Sequence, residues 1–322
     1  MATRTTEMRV ALATHTLNAR RGYPESSREA QITARRNLYS WARQHNFAGI
    51  EVGAWWYDFY QAPVTETRQL KEEMAAEGLA LAGFNCLRKC VTHPAVATQN
   101  RRDLWTAVEV ACEVGVPVVS ISLSLDADAV DIPQQDVRGT QISPGSSRDA
   151  GDEEFEQAGA FLRELARVAQ PSGIEIALEL HHCSLADTSH SLLRLLDIAG
   201  EPNISANPDL GNVTWGYAVP EEPWPESVIH LAGRVRFWHV KNIQRVYFPE
   251  VGRSAFVHAA LGEGDIDYRW AIAHMQSAGF DGWLSLEAAG PGDWLSFAAR
   301  GKAYLDELQK DFAAESSPEV GV

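Results

Sequence analysis

The chain is short of sulfur, short of positive charge and without a long apolar run, and each shortage removes a class of protein. Only four cysteines occur in 322 residues, Cys86, Cys90, Cys112 and Cys183, too few for a disulfide framework. Cys86 and Cys90 form a C-x3-C with no second Cys/His pair at zinc-site spacing, so buried or idle thiols in a reducing compartment are expected. Lys and Arg total 28 against 43 Asp and Glu, a formal charge of -15. A nucleic-acid partner would require a basic face, which that balance disfavours. No apolar stretch approaches the ~20 residues of a membrane-spanning helix. The polar segment Met1–Met8 and the short, interrupted run after it do not have the form of a secretory leader. The expectation is a cytoplasmic protein with neither nucleic-acid nor membrane partners.

What is present is a repeated alternation. Apolar runs with β-branched content recur at Met8–Thr14, Ala48–Gly53, Leu79–Phe84, Pro117–Leu125, Ile174–Leu180, Ile204–Asn207, Val235–Val240 and Gly282–Glu287. Helical periodicity fills most of the gaps, at Ser27–His45, Glu66–Glu77, Asn100–Val114, Asp152–Ala169, Ser189–Ile198 and Ile266–Ser277, with Trp294–Phe312 last. Strands alternating with helices demand a parallel sheet with crossover helices, and eight units favour a closed barrel. The rival, an open doubly wound sheet, lacks a Gly-rich phosphate loop after the first strand. The fold class expected is α/β, a single (β/α)8 TIM barrel over residues 1–312 with a flexible tail at 313–322. The spacing lengthens after the fourth and seventh strands. The first excess, an extended loop at 126–151 rich in Asp, Pro, Gly, Ser and Gln, reads as a lid, a partner-binding arm or a disordered insertion.

Four of the apolar runs end in groups that bind metals: Glu179, Asp209 after Asn207-Pro208, His239 and Glu287. A barrel gathers the C-termini of its strands around one pocket, so ligands far apart in sequence can meet on one cation. Three carboxylates so gathered would repel without a cation. An oxygen-dominated set with one imidazole suits a hard divalent ion; Mn²⁺ is favoured, with Mg²⁺ or Co²⁺ as alternatives. Lys241 shares a strand face with His239 and would offset charge or hold substrate oxygens, a role open to Arg245 as well. His181 is in phase with Glu179 and His15 closes the first strand, which makes both candidate proton donors or substrate contacts. Trp55, in the Trp55-Trp56-Tyr57 cluster, could stack on a sugar ring or an aromatic aglycone.

The segments Phe47-Ala-Gly-Ile-Glu51-Val, Ala177-Leu-Glu179-Leu, Asn207-Pro-Asp209-Leu-Gly-Asn212, His239-Val-Lys241-Asn, Leu261-Gly-Glu-Gly-Asp265-Ile-Asp267 and Gly279-Phe-Asp-Gly-Trp-Leu-Ser-Leu-Glu287 resemble the xylose isomerase-like barrel superfamily of sugar isomerases and epimerases. The resemblance to its keto-sugar 3-epimerase branch implies a metal held by Glu179, Asp209, His239 and Glu287, with the two glutamates moving the proton and Arg245 touching substrate. Where that branch has a histidine three residues past the aspartate, this chain has Asn212. Where the branch has a second glutamate after the fifth strand, this chain has His181-His182-Cys183. Resemblance extends to inosose dehydratases and to the barrel subunits of C-glycoside deglycosidases.

The leading expectation is a divalent-metal-dependent isomerase or epimerase of a keto-sugar or polyol derivative. It would work through a metal-stabilised enediolate, with Glu179 and Glu287 as acid and base and His181 assisting. Lys241, Arg245, His15, Trp55 and Asn212 are the expected substrate contacts. The alternatives are a lyase on an oxidised sugar or glycoside and a non-catalytic sugar-binding barrel or complex subunit. A homo-oligomer, with a second subunit as a further option, is expected from the resemblance.

Overall fold

The structure is a computed structural model that describes residues 7–15, 28–125, 146–215, 222–288 and 292–315. Of the loop at 126–151, only its last six residues are described, and 316–322 of the tail lies outside the described residues.

The expected alternation is present. The barrel strands are β1 (Arg9–Ala13), β2 (Gly49–Gly53), β3 (Ala80–Cys86), β4 (Val118–Ile121), β5 (Glu175–Glu179), β6 (Ile204–Asn207), β7 (Phe237–Val240) and β10 (Trp283–Leu286). All pair in parallel in the order β6-β5-β4-β3-β2-β1-β10-β7. A single bridge, Ala206↔Val235, joins β6 to the approach of β7. The eight strands thus form a nearly closed barrel.

Helices α1 (Arg28–Gln44), α2 (Val64–Ala76), α3 (Ala97–Val114), α4 (Asp152–Ala169), α5 (Ser189–Ala199), α8 (Tyr268–Ser277) and α9 (Trp294–Glu315) occupy the expected gaps. α9 runs three residues past Phe312, where the sequence suggested a tail. α4 shows why such segments become helices. Asp152, Glu153 and Glu154 sit in its first turn, where the helix dipole favours negative charge, and Phe155, Leu162, Leu165 and Ala166 form one buried stripe. Two short helices between β6 and β7, α6 (Leu210–Thr214) and α7 (Trp224–Leu231), were not expected. They start from local caps, the Asp209 side chain for α6 and a Pro-bearing first turn for α7, and are too short to show a periodic stripe.

A second difference follows β7. The stretch where the strand spacing lengthens contains an antiparallel hairpin of β8 (Asn242–Phe248) and β9 (Arg253–Ala259), with Arg245 opposite Phe256. Val246, Phe248 and Val257 are exposed there, so the alternation of buried and solvated positions that reveals a strand in sequence is lost.

Two layers of core hold the frame. One lies between sheet and helices. The other fills the barrel, where Ala11, Ala82, Val118 and Ala177 leave room for the rings of Phe237 and Trp283. Gly49 belongs to that fit: a Cβ there would sit 2.7 Å from the Ala80 carbonyl oxygen and 3.0 Å from the Trp283 ring. Removing such buried volume typically costs about 2–5 kcal/mol per large side chain. Strand ends are therefore placed by a packed core.

Candidate metal centre

The last residues of the barrel strands carry the charged groups. Glu179 ends β5, Asp209 caps α6 just past β6, His239 lies within β7 and Glu287 follows β10. All four are buried, and one ligand atom from each lies within 4.8 Å of the others. The four expected ligands thus meet although they span more than a hundred residues of sequence.

Around them is a dense polar shell. Lys241 Nζ lies 2.8 Å from both Asp209 Oδ2 and Glu287 Oε2. His15 Nε2 lies 2.9 Å from Glu287 Oε1. Gly53 makes room for His15, since a Cβ on it would come within 2.5 Å of the His15 Cβ. Asn212 Nδ2 donates to Glu179 Oε1 at 3.1 Å and Asp209 Oδ2 at 3.0 Å. On the far side of the His239 ring, Nε2 lies 2.8 and 3.0 Å from the two oxygens of Glu51. Ser285 donates to the same carboxylate at 2.6 Å.

These contacts fix the tautomer. A carboxylate can only accept, so Nε2 carries the proton and Nδ1 is the atom turned toward the cluster. Nδ1 lies 3.1 Å from Glu287 Oε1 and 3.3 Å from Glu179 Oε1, but among the described residues it makes no well-aligned hydrogen bond, and Glu179 Oε2 is likewise buried without a partner among them. Buried polar atoms left unsatisfied cost about 1–3 kcal/mol each. A cation bound by these atoms would remove that cost, and the donor set, three carboxylates and one imidazole, fits a hard divalent ion. The residues present therefore fit a divalent metal.

Charge sets the titration of the shell. Burial opposes the charged form of Glu287, yet Lys241, His15 and His239 outweigh it and hold its carboxyl well below the usual range. For Asp209 burial wins, and the carboxyl is pushed up to about 7 despite Lys241. Burial likewise opposes charge on Lys241, but Asp209 and Glu287 raise its pKa and keep it an ammonium. His239 loses to burial and gains more from Glu51, Glu179 and Glu287, ending well above its ordinary value. The neighbourhood thus attracts positive charge at the point where the ligand atoms converge.

The remaining expected site residues fall at different distances from this centre. His181 is buried beside it, its Nδ1 3.0 Å from the His182 carbonyl oxygen, and burial holds it well below its ordinary value and so uncharged. Trp55 is 53% exposed in the turn after β2. Arg245 is half-buried on β8, its backbone N–H donating to Asp265 at 2.8 Å. Sequence reasoning did not assign Glu51, Arg88 or Trp215. Trp215 stacks on His182 at 5.3 Å and meets His258 edge-on at 4.6 Å. The signal for Glu51 was a carboxylate between Ile50 and Val52 in a strand buried throughout; Arg88 and Trp215 lie in connections with no such signal.

The strands and helices define a (β/α)8 barrel, and its strand ends bring together a Glu-Asp-His-Glu set able to hold a divalent metal. The chain belongs to the Xylose isomerase-like TIM barrel family, whose model matches residues 39–310. Among curated proteins it is similar to inosose dehydratase of Salmonella agona strain SL483, at 22% identity over 173 residues, covering 50% of this chain and 56% of the relative. The chain thus spans about half the length of the curated relatives it matches. Among solved structures it is similar to a Xylose isomerase-like TIM barrel protein from Mycobacterium smegmatis in complex with magnesium, with TM-score 0.73, 19% identity and coverage of 94% and 97% of the two chains. It is also similar to an L-ribulose 3-epimerase, with TM-score 0.69, 17% identity and coverage of 98% and 100%. At these identities the solved structures bear on the fold alone.

Proposed function

We propose that the protein is a divalent-metal-dependent isomerase or epimerase acting on a keto-sugar or polyol derivative, with Mn²⁺ as the favoured ion and Mg²⁺ or Co²⁺ as alternatives. The observation that carries this reading is the buried Glu179-Asp209-His239-Glu287 cluster, at whose centre His239 Nδ1 and Glu179 Oε2 have no hydrogen-bond partner among the described residues. Bound there, a divalent ion would supply Lewis acidity that stabilises negative charge on a substrate carbonyl and its neighbouring oxygen. The chain's own groups would do the rest. Glu287, held ionised, accepts the proton from the carbon beside the carbonyl. Glu179, reaching the same space from β5, relays a proton back to complete isomerisation or epimerisation. Lys241, fixed between Asp209 and Glu287, orients both carboxylates and limits their repulsion. Buried walls exclude water and keep these interactions strong.

A second reading, a lyase that expels a β-substituent after the same proton abstraction, is favoured by the inosose dehydratase relatives and by the His181-His182 pair beside the cluster. Proton and carbon NMR of a keto-sugar and inosose panel in deuterated water with Mn²⁺-loaded protein tests both. Deuterium beside the carbonyl with conserved mass supports the first reading, and loss of water or an aglycone supports the second. A metal-loaded protein that exchanges no proton and converts no member of the panel counts against both.

A further inference from the structure

Just past β3, Arg88 adopts φ 54, the left-handed region that non-glycine side chains avoid. Three hydrogen bonds hold it there: Arg88 N donates to Ser122 Oγ at 2.7 Å, Lys89 N to the Ser122 carbonyl at 2.9 Å, and Ser124 Oγ to the Arg88 carbonyl at 3.3 Å. The segment just past β4 thus holds a conformation that brings the side chain to His182. A residue over-determined in this way just past a barrel strand points to function.

The aim is specific. Arg88 Nη2 lies 3.0 Å from His182 Nε2, and His182 Nδ1 lies 3.2 Å from Asn212 Oδ1. Arginine only donates, so Nε2 accepts and Nδ1–H donates onward. Asn212 in turn donates to Glu179 and Asp209. The guanidinium therefore stands one imidazole and one amide from the ligand carboxylates, with Trp215 stacked on the intervening ring.

Its charge is not matched. The neighbouring Lys89 is paired with Asp103 at 2.5 Å, and Lys241 is committed to two carboxylates. Among the described residues, Arg88 has no carboxylate at ion-pair distance, Glu179 acting on it only from farther off, and its side-chain partner is a ring that burial keeps uncharged. A part-buried guanidinium whose one side-chain hydrogen bond among the described residues goes to an imidazole, in a chain of net charge -15, is the arrangement that binds an anion rather than a neutral hydroxyl.

We propose that Arg88 anchors an oxyanion carried by the substrate, a carboxylate or a phosphate on the polyol skeleton, and so selects charged over neutral keto-sugars. This deepens the proposed function and rests on it. The test is calorimetric binding of three probes to the full-length protein, with and without Mg²⁺: D-fructose, 5-keto-D-gluconate and D-fructose 6-phosphate. Wild-type protein is expected to bind at least one charged probe about tenfold or more tightly than D-fructose. Arg88→Met should remove that preference, leave D-fructose within about twofold, and leave Mg²⁺ affinity unchanged, whereas Arg88→Lys should keep part of the preference. The probe whose affinity falls names the source, carboxylate or phosphate.

No preference in the wild type, absence of binding included, overturns the assignment. An equal loss for neutral and charged probes also overturns it, because that is the effect of merely orienting His182. A protein that takes up neither Mg²⁺ nor Mn²⁺ overturns the proposed function instead, and the metal-free comparison still reads out Arg88.

Discussion

Glu51 grips His239 by the ring nitrogen that faces away from the cluster, with Nε2 2.8 Å from Oε1 and 3.0 Å from Oε2. Burial would raise this carboxyl, but the imidazole outweighs it, with help from His15 and Ser285, and the net shift is downward. An ionised partner at Nε2 orients the ring and increases the basicity of Nδ1. Glu51→Gln should therefore weaken Mn²⁺ or Mg²⁺ binding by about 10–100-fold with little loss of fold. Calorimetric titration with metal checks it, and an unchanged affinity would remove Glu51 from the site.

Glu287→Gln preserves shape while removing the charge that Lys241 and His15 stabilise. Turnover and solvent deuterium exchange into substrate should both vanish while circular dichroism stays that of the wild type. Retained exchange would transfer the role of base to another group.

Lys241 is the buried counter-charge to two carboxylates. Lys241→Met should lower the unfolding free energy of the metal-free protein by about 3 kcal/mol, since breaking a buried pair leaves charge uncompensated. Added Mg²⁺ should recover more stability in this variant than it adds to the wild type. Urea midpoints with and without Mg²⁺ make the comparison, and equal increments would speak against a shared cation position.

Burial pushes His258 down from 6.5 to about 4, with Lys241 adding to the effect. The fold thus favours the neutral ring, and the unfolded chain takes up the proton first as pH falls. The stability this ring contributes is complete above about pH 6.5 and is lost progressively toward pH 4. His258→Gln should show a shallower loss of urea midpoint between pH 7 and 5. A slope identical to the wild type would mean that His258 is already charged in the fold.

How far the site could be read in advance depended on where each group sits along a strand. Glu179, His239 and Glu287 end apolar runs, and barrel geometry sends strand ends to one place, so periodicity and residue type sufficed. Asp209 was legible through the Asn207-Pro-Asp209 segment, although the helix it caps is only five residues long and carries no periodic signal. Glu51 stood in plain view between Ile50 and Val52, but its hold on His239 depends on β2 and β7 facing each other across the barrel, which no local pattern encodes. Arg88 was illegible for a backbone reason: its left-handed conformation is imposed by Ser122 and Ser124, not by glycine or asparagine at its own position. The β8–β9 hairpin escaped because Val246, Phe248 and Val257 face outward.

The weak edge between β6 and β7 lies directly beneath the cluster. Ladder pairing there is reduced to Ala206↔Val235, and the Asn207 side chain spans the opening, accepting from His239 N at 2.6 Å and donating to Ser120 at 3.0 Å. Asp209 and His239 stand on opposite banks of that opening. A cation held by both would act as a clasp, tying shut the one join where the backbone supplies little adhesion of its own. Cofactor uptake and circumferential closure of the barrel would then be a single event, and the ring of strands would tighten at the place where chemistry is prepared.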